Sequence, residues 1–174
     1  MASNIFIRPA SKEDARAVAE VQVSAWRVAY RCMMPDQVLD EMNTDARTGR
    51  WEEIIAQSAS TTLVAETGGA VIGWIRFGAS RDGDAPPQTG EVYGLYVSPG
   101  HWRLGAGRQL WQAACDRLRH DGFHSADVWV LEANTRARRF YESTGAALDP
   151  SAAKMFGDGS FESPEVRYRL GLHI

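Results

Sequence analysis

A strand, a glycine-bearing loop and a helix follow one another in residues 91–119, and this succession restricts the fold more than any other stretch of the chain. The first residues are rich in Val, Tyr and Leu and end at the Ser-Pro-Gly turn signal of residues 98–100. The loop carries Gly105 and Gly107, and apolar residues then recur with the 3.6-residue period of a helix. Glycine lets a ligand approach the backbone, and a helix start offers unpaired N–H groups and a positive dipole end. The stretch therefore predicts a phosphate-binding site.

Positive charge accompanies this loop, because the stretch contains four arginines and one nearby acid: Arg103, Arg108, Arg117 and Arg119 against Asp116. Since arginine binds phosphate through two parallel hydrogen bonds, the composition favours a polyanionic cofactor. The loop lacks the Gly-Lys-Ser/Thr of nucleoside-triphosphate sites, and Leu110 stands where a dinucleotide fingerprint has its third glycine. Neither of these two nucleotide sites is therefore expected.

The loop resembles the acetyl-CoA loop of the GNAT superfamily of acyl-CoA-dependent N-acyltransferases. The family pattern is Gln/Arg-x-x-Gly-x-Gly/Ala between a strand and a helix, and residues 102–107 read Trp-Arg-Leu-Gly-Ala-Gly. Trp102 replaces the first Gln or Arg, which leaves open which side chain supports the diphosphate. A glycine-rich turn that binds nothing is the alternative interpretation. The resemblance implies that the cofactor is bound by Arg103, Leu104, Gly105, Ala106, Gly107 and Arg108.

Residues 129–146 are similar to a second GNAT signature, in which a strand is followed by Asn, a helix with Tyr two turns later, and Gly. The matching residues are Asn134, Ala137, Arg138, Phe140, Tyr141 and Gly145. The resemblance implies that Asn134 and Arg138 bind the cofactor. Seven residues at 100° each bring Asn134 and Tyr141 to nearly one helix face. Near a bound thioester, Tyr141 could give its proton to the thiolate leaving group; packing beside Phe140 is the alternative.

Further catalytic and binding residues follow from the same resemblance. An amine must be neutral to attack a thioester, and Glu91 occupies the position of a general base in some GNAT enzymes, acting directly or through water. An exposed charge at a strand start is the equal alternative for Glu91. Backbone groups of Leu95, Tyr96 and Val97 are expected to pair with the amides of pantetheine, and an N–H there to meet the oxyanion.

The acceptor pocket is only partly defined by the sequence. Trp26 and Tyr30 resemble the end of the first GNAT helix, where the acceptor is often contacted, although aromatic packing is an equal alternative. Residues 80–90 are expected to form an exposed loop, and residues 149–164 another polar loop. The acceptor pocket is expected to be built from residues 26–34, 80–90 and 154–164. Their acids hint at a cationic acceptor: Asp82, Asp84, Asp158 and Glu162.

Length and pattern together predict the architecture. With 174 residues, of which 44% are hydrophobic, the chain is expected to form one domain over residues 1–174. The alternating segments 61–67 and 70–77 flank Gly68 and Gly69, which predicts a hairpin. The resemblance implies an α/β (α+β) fold: a mixed, mostly antiparallel sheet of six or seven strands, flanked by about four helices, with splayed central strands that hold the cofactor.

Composition excludes several classes of partner. A net charge of −3 argues against nucleic acid and anionic membranes, and no apolar run reaches the roughly 20 residues that span a bilayer. The first residues have no signal-peptide pattern, so a cytoplasmic protein is expected. Cys32 and Cys115 have no metal-ligand spacing, and no metal is expected. The resemblance leaves a homodimer possible.

The sequence therefore predicts an N-acetyltransferase that transfers an acetyl group from acetyl-CoA to a primary amine. Attack is expected to be direct, through a tetrahedral intermediate and without an acyl-enzyme. A non-catalytic acyl-CoA sensor or interaction module on the same fold is the alternative, and an unrelated α/β nucleotide-binding protein is a third. The acceptor is a small molecule or a peptide, with aminoglycosides, polyamines, amino acids and protein N-termini all open.

Overall fold

One mixed sheet of seven strands organises residues 4–172, which are the residues described by this computed structural model. The strands are β1 (Phe6–Pro9), β2 (Thr61–Thr67), β3 (Ala70–Ala79), β4 (Thr89–Val97), β5 (Ser125–Leu131), β6 (Ala147–Gly157) and β7 (Glu162–Gly171). The helices are α1 (Ala15–Ala29), α2 (Asp36–Asp40), α3 (Thr44–Ala56), α4 (Ala106–His120) and α5 (Thr135–Ser143). Short 3-10 turns at Lys12–Asp14 and Pro99–His101 precede α1 and α4.

The strand order is β1-β2-β3-β4-β5-β7-β6, and every neighbouring pair is antiparallel except β4 and β5. That parallel pair is short, because its register runs only from Thr89 opposite Ser125 to Val92 opposite Val128. Beyond this point the two strands separate and leave a gap in the middle of the sheet. The mixed, mostly antiparallel sheet with splayed central strands confirms the predicted fold.

A β-bulge in β4 marks the place where the strands begin to separate. Arg76 of β3 pairs with Gly94, whereas the next residue, Phe77, pairs with Val92, so Tyr93 is an additional residue in β4. A bulge bends its strand and increases the local twist. The bend falls at the last residue that β5 pairs with, and it directs residues 93–97 away from β5.

Helices cover both faces of the sheet because each presents one apolar stripe. On one face, Leu110 and Leu118 of α4 are buried in the main core with strand residues of β2 to β5. On the other face, α1 and α3 pack against Trp74, whose ring centroid lies 4.6 Å from that of Trp51. Each large apolar side chain buried in this way stabilises the fold by about 1.5–3 kcal/mol. Among the described residues, no helix combines the length and hydropathy needed to cross a bilayer.

The structure corrects one sequence-based expectation. Residues 149–164, predicted as a polar loop, belong mostly to the antiparallel pair β6–β7, with an irregularity between Asp149 and Ala153. Because β6 is an edge strand that is exposed on most of its length, it lacks the apolar alternation by which strands are recognised. The five helices within residues 4–172 agree with the predicted number of about four, since α2 has only five residues.

The segment between β3 and β4, predicted as an exposed loop, is held down by Arg167 of β7. The guanidinium of Arg167 is 3% exposed and binds Asp82 at 3.2 Å, Asp84 at 2.9 Å and Asp149 at 2.8 Å. Trp129 adds a hydrogen bond from its indole N–H to Asp82, at 2.7 Å. One buried cation therefore ties this segment to β5, β6 and β7.

We expect Arg167→Leu to lower the free energy of unfolding by about 3 kcal/mol, because it leaves carboxylates partly buried without their cation. Urea denaturation followed by circular dichroism measures the change. The matched control is Arg117→Leu, which removes an exposed arginine paired with Asp121 at 3.0 Å and should cost no more than about 1 kcal/mol. Equal losses in the two variants would show that the Arg167 cluster has no special role in stability.

Candidate active site

A cavity of about 1490 Å³ occupies the gap between β4 and β5 and extends to both faces of the sheet. Its wall includes residues of α1, α3, α4 and α5 as well as the unpaired part of β4. Pockets for one small ligand commonly measure about 300–1,000 Å³, so this cavity has room for two reactants.

The first residues of α4 form one end of the cavity. Gly105 precedes the helix with φ of 93°, in the left-handed region that glycine adopts without strain, and Arg103 has φ of 64°. No side chain caps this helix start, and both Gly105 and Gly107 line the cavity. The unpaired N–H groups and the positive end of the helix dipole are therefore available to an anion.

Three arginines add positive charge to the same end of the cavity: Arg103, Arg108 and Arg136. The guanidinium of Arg136 lies 3.4 Å from the ring centroid of Trp102, whose indole N–H donates to the carbonyl of Val97 at 2.6 Å. Within residues 4–172 none of the three arginines lies within ion-pair distance of an acid. This end of the cavity is suited to a ligand with several negative charges.

Tyr141 lies in the middle of the cavity wall. Its ring is 6% exposed and packs against Trp111, with centroids 5.1 Å apart. Within the described part of the chain its hydroxyl has no hydrogen-bond partner, although Tyr30 and Tyr96 share a hydrogen bond of 2.9 Å nearby. Burial raises the pKa of the Tyr141 phenol above its ordinary value of 10, and Tyr96 raises it further. The phenol therefore keeps its proton at neutral pH and can donate it.

Two carboxylates lie on the cavity wall: Glu91, which is buried, and Glu165, which is partly buried. Glu91 is 1% exposed, and both of its oxygens accept hydrogen bonds from Arg81: one from Nη2 at 2.5 Å, the other from the backbone N–H at 2.8 Å and Nε at 3.2 Å. Glu165 is held less closely, with Lys154 at 3.9 Å, and burial raises the pKa of its carboxyl. Glu91 is thus a buried, paired group and not the exposed charge of the alternative interpretation.

The chain is similar to a known protein family over most of its length. Residues 23–146 match the profile of the Acetyltransferase (GNAT) family. The chain belongs to the GNAT acetyltransferase family. Within residues 4–172, no group of three or more His, Cys, Asp and Glu side chains is placed to hold a metal ion.

Individual GNAT relatives cover most of the chain. It is 32% identical over 131 residues to the uncharacterized N-acetyltransferase YuaI of Bacillus subtilis, covering 75% of this chain and 73% of that one. It is 32% identical over 155 residues to the L-amino acid N-acyltransferase MnaT of Escherichia coli, covering 87% and 86%. The solved structure of yncA, a putative acetyltransferase from Salmonella typhimurium with its cofactor acetyl-CoA, superposes with a TM-score of 0.70 at 26% identity, covering 97% and 94%.

The GNAT fold brings most of the site residues proposed from the sequence to one cavity. Those on its wall are Trp26, Tyr30, Glu91, Leu95, Tyr96, Val97, Arg103, Gly105, Gly107, Arg108, Asn134 and Tyr141. Leu104 and Ala106 are not on the wall, since Leu104 is 59% exposed to solvent and Ala106 is buried. Arg138 is directed elsewhere and donates to the hydroxyl of Tyr168 and the carbonyl of Glu132, both at 3.1 Å.

Sequence reasoning missed two groups on the cavity wall. Arg136, and not Arg138, lies beside the start of α4, because it is in the first turn of α5 and side chains on a helix lean toward its N-terminus. Both arginines fall within the first four residues of α5, so the sequence spacing alone does not distinguish them. The second group consists of Arg47, Arg50 and Arg76, which no local motif connects, because they come from α3 and β3.

Proposed function

We propose that the protein transfers an acetyl group from acetyl-CoA to the primary amine of a small molecule or peptide. The observation that carries this proposal is the uncapped, arginine-rich start of α4 opening into the same cavity as the unpaired phenol of Tyr141. Membership of the GNAT family supports acyl transfer, and the Salmonella relative with acetyl-CoA as cofactor supports this donor.

In this proposal, backbone N–H groups of residues 105–108 bind the diphosphate of CoA. Arg103, Arg108 and Arg136 neutralise its charge, and Arg136 takes the role that the family resemblance gives to Arg138. The pantetheine amides pair with backbone groups of residues 95–97 on the edge that β5 leaves unpaired, as a strand adds to a sheet edge, while the carbonyl of Val97 already accepts from Trp102. Asn134, whose side-chain oxygen already caps α5 by accepting from Ala137, has its amide N–H groups left for the same arm.

The transfer is proposed as direct attack. The amine nitrogen bonds to the thioester carbon, a backbone N–H of residues 95–97 stabilises the oxyanion, and the C–S bond then breaks. Tyr141 gives its proton to the leaving sulfur, because desolvation raises the pKa of the phenol and also that of a thiolate formed beside it. Glu91 receives the proton of the amine through a water molecule, because each carboxylate oxygen can accept a further hydrogen bond beside those from Arg81. Glu91 then releases this proton to solvent, and Tyr141 takes a proton back from solvent.

The binding loop can be tested with Gly107→Glu. A Cβ at Gly107 would have its nearest neighbours at 3.8 Å, and an acid in the first turn of a helix is stabilising, so the variant should fold. Its carboxylate would occupy the diphosphate position, and we expect the Kd for CoA to rise about 100-fold in calorimetry, a loss of about 2.7 kcal/mol.

The matched control for this variant is Gly49→Glu, another helix glycine, at which an added Cβ meets nothing within 4 Å. It introduces the same charge, and its CoA affinity should equal that of the wild type. If Gly107→Glu also binds CoA normally, the loop is not the diphosphate site and the proposed donor is wrong.

The acid role can be tested with Tyr141→Phe. We expect kcat to fall by about 10²-fold or more while the Kd for acetyl-CoA stays within about twofold, because only the proton donor is lost. The control is Tyr168→Phe, which removes a buried phenol outside the cavity. Since the pKa of Tyr141 is raised, kcat of the wild type should not fall below pH 10 through ionisation of this phenol. An unchanged kcat in Tyr141→Phe removes Tyr141 from the mechanism.

The base can be identified by comparing Glu91→Gln with Glu165→Gln. If Glu91 takes the proton, its variant should lose about 10²-fold in kcat/KM near neutral pH and recover at alkaline pH, where the amine is already neutral. Glu165→Gln should retain the wild-type pH profile. The reverse pattern would assign the base to Glu165, whose carboxyl pKa is raised by burial. Acetyl-CoA that stays intact with every amine would instead favour a sensor.

A further inference from the structure

The end of the cavity away from α4 carries a second set of cations. Arg47 and Arg50 lie three residues apart in α3, and therefore on one side of that helix, and Arg76 comes from β3. All three line the cavity on the face of the sheet covered by α1 and α3, whereas the phosphate end is formed by α4, which packs on the opposite face. This second set therefore belongs to the acceptor end.

These three arginines are not neutralised by the part of the chain that the structure describes. Within residues 4–172 none of them forms an ion pair, whereas Arg8 and Arg167 each bind more than one acid. Arg76 donates to the hydroxyl of Ser60 at 2.8 Å, and Arg47 lies 5.4 Å from the ring centroid of Trp26. Burial lowers the pKa of the Arg47 and Arg76 guanidiniums, and the proximity of Arg50 lowers both further. A bound anion would reduce the repulsion between these like charges.

Two buried indole N–H groups beside the arginines also lack acceptors. Nε1 of Trp26 and Nε1 of Trp74 have no hydrogen-bond partner in residues 4–172, although both residues line the cavity and Trp74 is only 3% exposed. A buried donor without a partner costs about 1–3 kcal/mol. Because both nitrogens are closed off from solvent, a ligand could reach them only if the rings shifted, so the guanidiniums are the groups that an anion can bind directly.

The acids that hinted at a cationic acceptor do not offset this charge. Asp82 and Asp84 are bound by Arg167, and Asp158, although on the cavity wall, accepts from the backbone and hydroxyl of Ser160. Glu162 is exposed and lies outside the cavity wall. These acids therefore lend little support to a cationic acceptor, because Asp82 and Asp84 are paired with an arginine distant in sequence and Asp158 with a local turn residue.

We propose that Arg47, Arg50 and Arg76 bind a carboxylate of the acceptor, so that the substrate is an amine of the amino-acid type. This inference rests on the proposed acetyl transfer. The aromatic rings of Trp26, Tyr30 and Tyr96 lie between this subsite and Tyr141 and provide an apolar wall for the remainder of the acceptor. Guanidinium groups suit a planar carboxylate because they offer two parallel donors.

The test measures release of CoA thiol with three matched acceptors: L-phenylalanine, L-phenylalaninamide and phenethylamine, and with the corresponding leucine series. We expect kcat/KM for the carboxylate-bearing acceptor to exceed that of its amide by about 10²-fold. Arg76→Gln and, separately, Arg50→Gln should lower kcat/KM for the amino acid by about tenfold or more, mainly through KM. The same variants should leave kcat/KM for the amide and the Kd for acetyl-CoA unchanged.

Arg117→Gln, an exposed arginine on α4 outside the cavity, is the charge-matched control and should behave as wild type. Normal CoA affinity in each variant shows that it is folded. Equal rates with the acid, the amide and the amine would overturn the carboxylate subsite and leave the proposed acetyltransferase standing. A preference for an amine that carries phosphate in place of carboxylate would also overturn it. Failure of the wild type to bind CoA would instead remove the proposed function itself.

Discussion

The structure depends on one interruption of strand pairing, the separation of β4 from β5 after Val92 and Val128. Up to that pair the backbone groups of both strands satisfy one another, whereas residues 93–97 of β4 face a cavity. Buried backbone N–H and C=O groups are rarely left without partners. This edge is therefore suited to an extended ligand with amides of its own, and the bulge at Tyr93 keeps the edge open because it bends the strand.

The same interruption joins two ends of the cavity that lie on opposite faces of the sheet. A donor can enter beside α4 while an acceptor enters beside α1 and α3, and both can reach Tyr141 at once. No Cys or Ser of residues 4–172 lies on the cavity wall to serve as an acylated nucleophile. Cys115 is buried in the core, where burial raises the pKa of its thiol to about 12. The direct transfer proposed above needs no acylated side chain of this kind.

The sequence predicts what is encoded locally and misses what tertiary contacts decide. Residues 91–119 contain their own strand, turn and helix signals, so the loop at Gly105 and its approach to the cavity could be expected. The choice between Arg136 and Arg138 depends on how α5 is placed against Trp102, which no spacing reports. The net charge of the acceptor end of the cavity could not be predicted from the sequence either, because Asp82 is neutralised by an arginine 85 residues away.

Arginine serves two purposes in this protein, and the purpose of each arginine depends on whether a carboxylate lies beside it. Arg81 and Arg167 form ion pairs with carboxylates such as Glu91, which is 1% exposed. Without its cation, a carboxylate buried in this way would destabilise the fold. Arg76, only five residues before Arg81, meets none and lies on the cavity wall. A cation whose charge is satisfied inside the fold stabilises the empty protein, whereas one left unsatisfied raises its free energy.

Because unsatisfied cations line both ends of the cavity, ligands that neutralise them also stabilise the folded chain. Clustered arginines that repel one another thus make the protein without ligand less stable. The same repulsion, once relieved by a bound anion, strengthens the binding of that ligand. Removing such a cluster would relieve the empty protein while weakening recognition, which is the opposite of the effect of removing Arg167. Stability and ligand recognition are therefore linked through the same residue type, at different positions of the fold.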